Sequence, residues 1–199
     1  MAVTKIHPIK STLKKALDYI ENPDKTEDKM LVSSFGCSYE TADIEFEMLL
    51  AQAIQKGNNL AHHLIQSFAP GEVTPEQAHE IGCEFARRLF GEDYEVVIGT
   101  HLDKAHPHNH IVVNSVSRTD GHKYHSSPES YYNDVRGTSD ELCRENDLYV
   151  IAPQGKGKHY AEWKAEQGGK PTVRGVIRAD IDTIIGQAYT YDSFLMLLR

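Results

Sequence analysis

Residues 100–114, THLDKAHPHNHIVVN, hold four of the chain's eleven histidines within ten residues. Near neutral pH an imidazole is a nitrogen donor without charge and a common ligand of divalent metals. His108 and His110 stand two apart, so on a strand both side chains leave from one face. His101 ends the preceding apolar run, and a turn folds it back beside them. Three neutral imidazoles converging on one point, with no fourth protein ligand, describe a metal site with positions open to a substrate. His106 is in phase with His108 and is a candidate fourth ligand, but Pro107 interrupts the strand there. The plainer alternative is a histidine-rich hairpin that binds nothing. It suits a lone histidine better than a His-x-His pair preceded by a third histidine. Asp103 is read either as a carboxylate that orients an imidazole or as a turn residue. All-nitrogen ligation suits Mn²⁺, Ni²⁺, Co²⁺ or Zn²⁺ in the tube, whereas Mg²⁺ prefers oxygen. Ligand imidazoles must be neutral, so metal-dependent activity is expected to fall below a pH of about 6.5.

The surrounding pattern supplies elements to hold these residues. Residues 11–21 (STLKKALDYIE) open with a Ser or Thr cap and read as a short helix, which Asn22-Pro23-Asp24 ends. Residues 30–35 read as a strand. Residues 41–55 read as an amphipathic helix, with Ile44, Met48, Leu49 and Ile54 at helical spacing. Residues 61–68 (AHHLIQSF) read as a strand. Thr74 is placed as an N-cap, Pro75 as the first helical residue and Gln77 as the partner in a capping box; that helix runs to about Leu89, with Gly91 stopping it. Residues 94–101 and 108–116 are two strands of an antiparallel hairpin. Residues 139–147, 178–188 and 193–198 are expected to be helical, and residues 153–158 a Gly/Lys-rich loop. Strands alternating with helices give an α+β fold: a central antiparallel sheet with helices packed on it, on one side.

Composition sets outer limits. A chain of 199 residues is long enough for a domain with a full core, and residues 1–199 are expected to form one domain, the N-terminal part of a longer protein. No run approaches the ~18 apolar residues of a membrane span, and no secretory segment opens the chain. Cys37, Cys83 and Cys143 are far apart and odd in number, which reads as reduced thiols in the cytoplasm. The net charge of −8 opposes broad, non-specific nucleic-acid binding. Acid gathers between residues 21 and 47 and between 72 and 95. From Lys156 to Arg178 the balance reverses, so a local basic face is available.

No Asp-His follows the histidine pair, so the segment does not fit the metallo-β-lactamase-like hydrolases. It resembles instead the relaxases, the mobilisation nucleases of plasmids and integrative conjugative elements, within the HUH endonucleases. The likeness rests on His101-x-Asp103, then Pro107-His108-Asn109-His110 and the apolar strand to Asn114. LDYIENPDKT (residues 17–26) is similar to the relaxase segment with the nucleophilic tyrosine. HHLIQSFAPGEVTPEQA (residues 62–78) and DVRGTSDELCRENDL (residues 134–148) also have the family's look. The resemblance covers about residues 5 to 190, in the family's order.

The resemblance implies the relaxase architecture and strand-specific nicking and rejoining at a transfer origin. Keeping the cut end for later rejoining requires a covalent protein nucleophile. Ten tyrosines are present, so composition cannot choose; the resemblance picks Tyr19. Otherwise Tyr19 reads as part of an apolar helix face with Leu13, Ala16, Leu17 and Ile20. The metal, Mn²⁺ or Mg²⁺, would stabilise charge on the scissile phosphate. Attack by Tyr19 would leave a 5′-phosphotyrosine, with Asp103 the nearest carboxylate in sequence to serve as base. His7 is a rival nucleophile. A replication initiator of the rolling-circle type would place its tyrosine downstream, at Tyr124, Tyr131 or Tyr132; a metal-dependent hydrolase would form no adduct. Holding an unstacked strand calls for cations and aromatic platforms. Candidates are Lys14, Lys15, Lys25, Arg136, Lys156, Lys158 and Arg174, with Tyr160 and Trp163. The implied partners are single-stranded DNA at the transfer origin, accessory relaxosome proteins and a coupling protein.

Overall fold

The computed structural model describes residues 2–150, 165 and 168–198. They fall into two compact units, Met1–Ile151 and Ala152–Arg199. The first is built on five strands: β1 (Val3–Ile9), β2 (Val32–Phe35), β3 (Ala61–Ser67), β4 (Val96–His101) and β5 (His108–Asn114). All pairings are antiparallel, in the order β1-β3-β5-β4-β2. The expected hairpin is present, with His101 opposite His108. Its second strand lies at the centre of the sheet.

Helices cover both faces, not one. On one face lie α1 (Leu13–Ile20) and α2 (Ala42–Leu50); their Leu13, Leu17, Ile20, Ala42 and Phe46 pack on Ala61, Val97 and Val112. On the other lies α3 (Pro75–Phe90) with a helical stretch made of α4 (Pro128–Ser130), a π-helical segment (Tyr131–Arg136) and α5 (Gly137–Glu145). Here Ile81, Phe85, Val135 and Leu142 pack on Leu64, Val96, Ile98, Ile111 and Val113. The reason is in the central strands: β4 and β5 are buried at every position, so neither of their faces is left to solvent.

Other departures have local causes. β1 was not anticipated; Pro8 interrupts its pattern, and an edge strand is where a sheet tolerates proline. α2 stops at Leu50 because the chain turns away, and the Ile54 amide donates to Gly121 O at 3.1 Å. Thr74 Oγ1 accepts from the Gln77 amide at 3.2 Å, which is one half of the expected capping box. Gly91 stops α3 at φ 54°. The second unit contains α6 (Val173–Gln187), capped by Thr172, and α7 (Tyr191–Leu197), opened by a Thr190–Ser193 capping box. The expected loop at residues 153–158 lies outside the described residues. Among the described residues no helix is long and apolar enough to cross a membrane.

Candidate active site

The face under α1 and α2 changes character along the strands. At one end Ala61, Val97 and Val112 carry the helices. At the other, the same alternation brings up His101, His108 and His110, all buried. Each offers a ring nitrogen, and these three atoms lie within 4.8 Å of one another.

The other nitrogen of each ring is engaged. His101 Nε2 lies 3.2 Å from the Ile20 carbonyl, and His108 Nδ1 lies 3.2 Å from the His106 carbonyl. A carbonyl only accepts, so these two nitrogens carry the proton and the facing ones carry lone pairs. His110 Nδ1 lies 2.8 Å from His63 Nε2 on β3. That leaves His101 Nδ1 and His110 Nε2 buried with no hydrogen-bond partner. His108 Nε2 is faced by Asp103 at 3.6 Å, too long for a hydrogen bond. Burial holds all three imidazoles below their ordinary titration range, His110 to about 2. They are neutral donors at physiological pH. Partnerless buried lone pairs beside one another are what a divalent transition ion requires, and the donor set fits one.

Tyr19 stands at this cluster. Leu13, Leu17 and Ile20 form the buried stripe of α1, while Tyr19 leaves it and is 43 % exposed. Its ring meets those of His101 and His110 edge-on, with centroids 5.1 and 5.2 Å away. Gly99 makes this docking possible: a Cβ there would run into the Ile20 carbonyl. Just beyond α1, Asn22 caps the short turn Pro23–Lys25, and Leu102 N donates to Lys25 O at 2.9 Å. The Lys25 ammonium sits 4.3 Å from the Tyr19 ring centroid and 3.0 Å from Asp103. Asp103 raises the pKa of Lys25, and Lys25 in turn holds the Asp103 carboxyl below its usual range.

The remaining candidates are scattered. Lys14 is tied to Asp18 and Asp43, at 3.3 and 3.0 Å, and Lys15 is exposed on α1. Arg136 lies 3.6 Å from Asp140 at the end of the π-helical segment. Arg174 is in α6, within the second unit. Lys156, Lys158, Tyr160 and Trp163 lie outside the described residues. His106 faces His108, with ring centroids 5.6 Å apart, but is not in the converging group. His7 is exposed on β1 opposite His63, two strands and about 10 Å from β5. Tyr124 packs on His62, Phe90 and Tyr94, and the Tyr131 hydroxyl donates to Thr4 O at 2.7 Å. Both belong to the opposite face of the sheet, and Tyr132 meets Tyr131 edge-on. Sequence reasoning missed His63 and placed Lys25 only among DNA contacts; strand register and the turn after α1, which bring them in, carry no local motif.

Residues 19–148 match the nuclease domain of the MobA/VirD2-like relaxases. A Staphylococcus aureus protein called rlx is 34% identical over 200 residues, covering 100% of this chain and 60% of its own. The group II intron-interrupted relaxase LtrB of Lactococcus lactis is 32% identical over 196 residues, 78% of this chain and 35% of its own. The chain thus spans 60% or less of the length of these relatives. Among solved structures, the MobM relaxase domain, bound to plasmid pMV158 oriT DNA and Mn, shares the fold. Its TM-score is 0.56 at 14% identity, over 83% of this chain and 98% of that one. The family match runs from Tyr19, at the edge of the histidine cluster, to Leu148, within the first unit, and by it this chain belongs to the MobA/VirD2-like relaxases.

Proposed function

We propose that the chain nicks and rejoins one DNA strand at a transfer origin, with Tyr19 as nucleophile. The carrying observation is the Tyr19 ring edge-on to His101 and His110 at 5.1 and 5.2 Å. His101, His108 and His110 would hold the ion, which when bound would supply Lewis acidity for the scissile phosphate; Mn²⁺ is our first choice, because nitrogen donors disfavour Mg²⁺. MobM, a relative in fold, was solved with Mn and oriT DNA, which supports the ion and the substrate class.

In the cut, a bond forms between Tyr19 Oη and phosphorus while the bond from phosphorus to the 3′ oxygen breaks. The phenol loses its proton and the departing 3′ oxygen gains one. Rejoining reverses both. Lys25, its ammonium 4.3 Å from the Tyr19 ring centroid, is placed to hold a phosphate oxygen of the strand beside the nucleophile. Asp103, acidified by Lys25, contributes by anchoring that ammonium at 3.0 Å and adding negative charge opposite the metal ligands. Lys15 and Arg174 are assigned to the DNA backbone with Lys14, Lys25, Arg136, Lys156 and Lys158; accessory relaxosome proteins and a coupling protein are the proposed partners. Free Cys37, Cys83 and Cys143 suit a cytoplasmic protein.

The test is a covalent one. Incubated with Mn²⁺ and labelled single-stranded oligonucleotides that include its own origin sequence, the protein should form an adduct on a denaturing gel. The phosphate should map to Tyr19 by mass spectrometry. Tyr19→Phe removes only the phenolic oxygen and should abolish the adduct while metal binding stays at the wild-type level. A phosphate on His7, Tyr131 or Tyr132, with Tyr19→Phe still active, would overturn the assignment. Cleavage that leaves both ends free would point to a hydrolase.

A further inference from the structure

Two of the three converging imidazoles are oriented by the backbone. The carbonyls of Ile20 and His106 can only accept, so the His101 and His108 tautomers are fixed wherever those bonds form. His110 is different. Its Nδ1 meets Nε2 of another imidazole, His63, at 2.8 Å, with ring centroids 5.0 Å apart. Either nitrogen of that pair can be the donor. If His63 donates, the His110 proton sits on Nε2, the lone pair points away from the triad, and the site loses a ligand. If His63 accepts, His110 Nδ1 donates and its Nε2, buried and without a partner, presents a lone pair to the other two.

We propose that His63 is a positioning residue for the metal site: it accepts from His110 Nδ1 and thereby holds the tautomer in which His110 is a ligand. The assignment rests on the three-histidine reading above. It goes beyond it by placing part of the site's affinity on a strand, β3, that contributes no ligand. The backbone explains why this ligand needs a side chain. His110 lies inside β5 between β3 and β4, where neighbouring carbonyls are spent on the ladder. His101 and His108 sit at strand ends, within reach of carbonyls outside the sheet. Partners of this kind are worth ~10–100-fold in metal affinity.

The experiment compares Mn²⁺ affinity, by calorimetry on the whole chain without DNA, in the wild type, His63→Leu and His63→Gln. Leucine keeps bulk but cannot accept. Glutamine brings an amide oxygen to about where the imidazole Nε2 stands. The expected result is a loss of ~10–100-fold in His63→Leu and recovery of most of it in His63→Gln, at matched thermal melts. Nitrogen-15 shifts of the His110 ring in the metal-free protein should show the proton on Nδ1 in the wild type and mixed tautomers in His63→Leu. Unchanged affinity and an unchanged His110 tautomer in His63→Leu would overturn the proposal. So would equal losses in both variants, which would mark packing alone. If His63→Leu melts early, the glutamine variant and the ring shifts still decide. A wild-type chain that binds no Mn²⁺ would instead refute the three-histidine site itself.

Discussion

Consecutive residues of β4 and β5 face two very different polar environments. Under α3, Ser33, His79, Thr100, Asn109, Gln66 and Ser139 form one chain of hydrogen bonds between 2.7 and 3.0 Å. Thr100 Oγ1 donates to Asn109 Oδ1, so His79 Nδ1 must donate to Thr100 and His79 Nε2 accept from Ser33. The remaining Asn109 proton goes to Ala78 O at 2.7 Å. Every side chain along that chain of bonds is engaged by at least one partner. One residue away along the strand, on the other face, His101 and His110 each leave a buried nitrogen unpaired. Burying an unsatisfied polar atom costs about 1–3 kcal/mol, and among the described residues only His62, beside Tyr124 on the α3 face, shares that condition. The hydrogen-bonded chain holds the sheet to α3; the ring nitrogens of the triad, unlike those of His62, converge within 4.8 Å and suit something that binds.

The comparison can be broken in four ways, beginning with the strongest. His108→Leu should abolish stoichiometric Mn²⁺ binding while leaving the metal-free melting temperature equal or higher. Calorimetry and differential scanning check the two halves, and a metal-free protein that unfolds far earlier would make the histidines structural. Next, Gly99→Ala pushes a methyl into the Ile20 carbonyl and shifts the end of α1. A displacement of ~1 Å at a reacting group can lower the rate ~100-fold, so adduct formation should slow by that order. Wild-type single-turnover rates in this variant would mean that the docking does not position Tyr19.

In the hydrogen-bonded chain, Asn109→Leu strands Thr100, Gln66 and the Ala78 carbonyl. Denaturant unfolding should report a loss of about 3 kcal/mol, with Mn²⁺ affinity of the remaining folded protein close to wild type. A loss of affinity without a loss of stability would reverse the roles given to the two faces.

The last effect is in pH. Burial holds His110 neutral down to about 2 and His63 down to about 4, whereas an unfolded imidazole takes its proton near 6.5. Between those values the unfolded chain binds more protons than the folded one, so stability falls as pH falls. The contribution is complete above about 6.5. It is lost on the way down to about 4 for His63 and about 2 for His110. For the metal the same shift acts in the opposite direction. Protons compete less than for a free imidazole, so the loss of binding expected below about 6.5 should move to lower pH. Urea melts of the metal-free chain and Mn²⁺ titrations across pH 5–7 test both; affinity already halved near pH 7 would contradict the burial argument.

The histidine triad was legible because its determinants are local: an i, i+2 pair on a strand and one short turn back to His101. The hairpin, Thr74 and Gly91 were legible for the same reason. What failed depended on distant chain. Pro8 hid an edge strand, and the apolar period of α2 ran on past the point where Ile54 bonds to Gly121. The runs Val96–Val97–Ile98 and Ile111–Val112–Val113 were consistent with burial on both faces, yet alternating elements alone suggested one covered side. Tyr19 came from resemblance; its departure from the buried stripe of α1 is visible only once that helix lies on β4. His63 sat in a strand segment whose pairing with β5 no periodicity announces.

The Ile20 carbonyl closes α1 one residue after Tyr19, presses on Gly99 and receives the His101 proton. The phenol and the His101 ring are therefore surveyed from a single backbone atom. Residues 13 to 18 can be exchanged wherever Leu13 and Leu17 keep their bulk, without moving either group. An insertion between Tyr19 and Ile20 displaces the phenol against a ring that stays put. Grafting this chemistry onto another sheet would mean carrying the helix end, the strand glycine and the histidine two residues beyond it as one inseparable cassette.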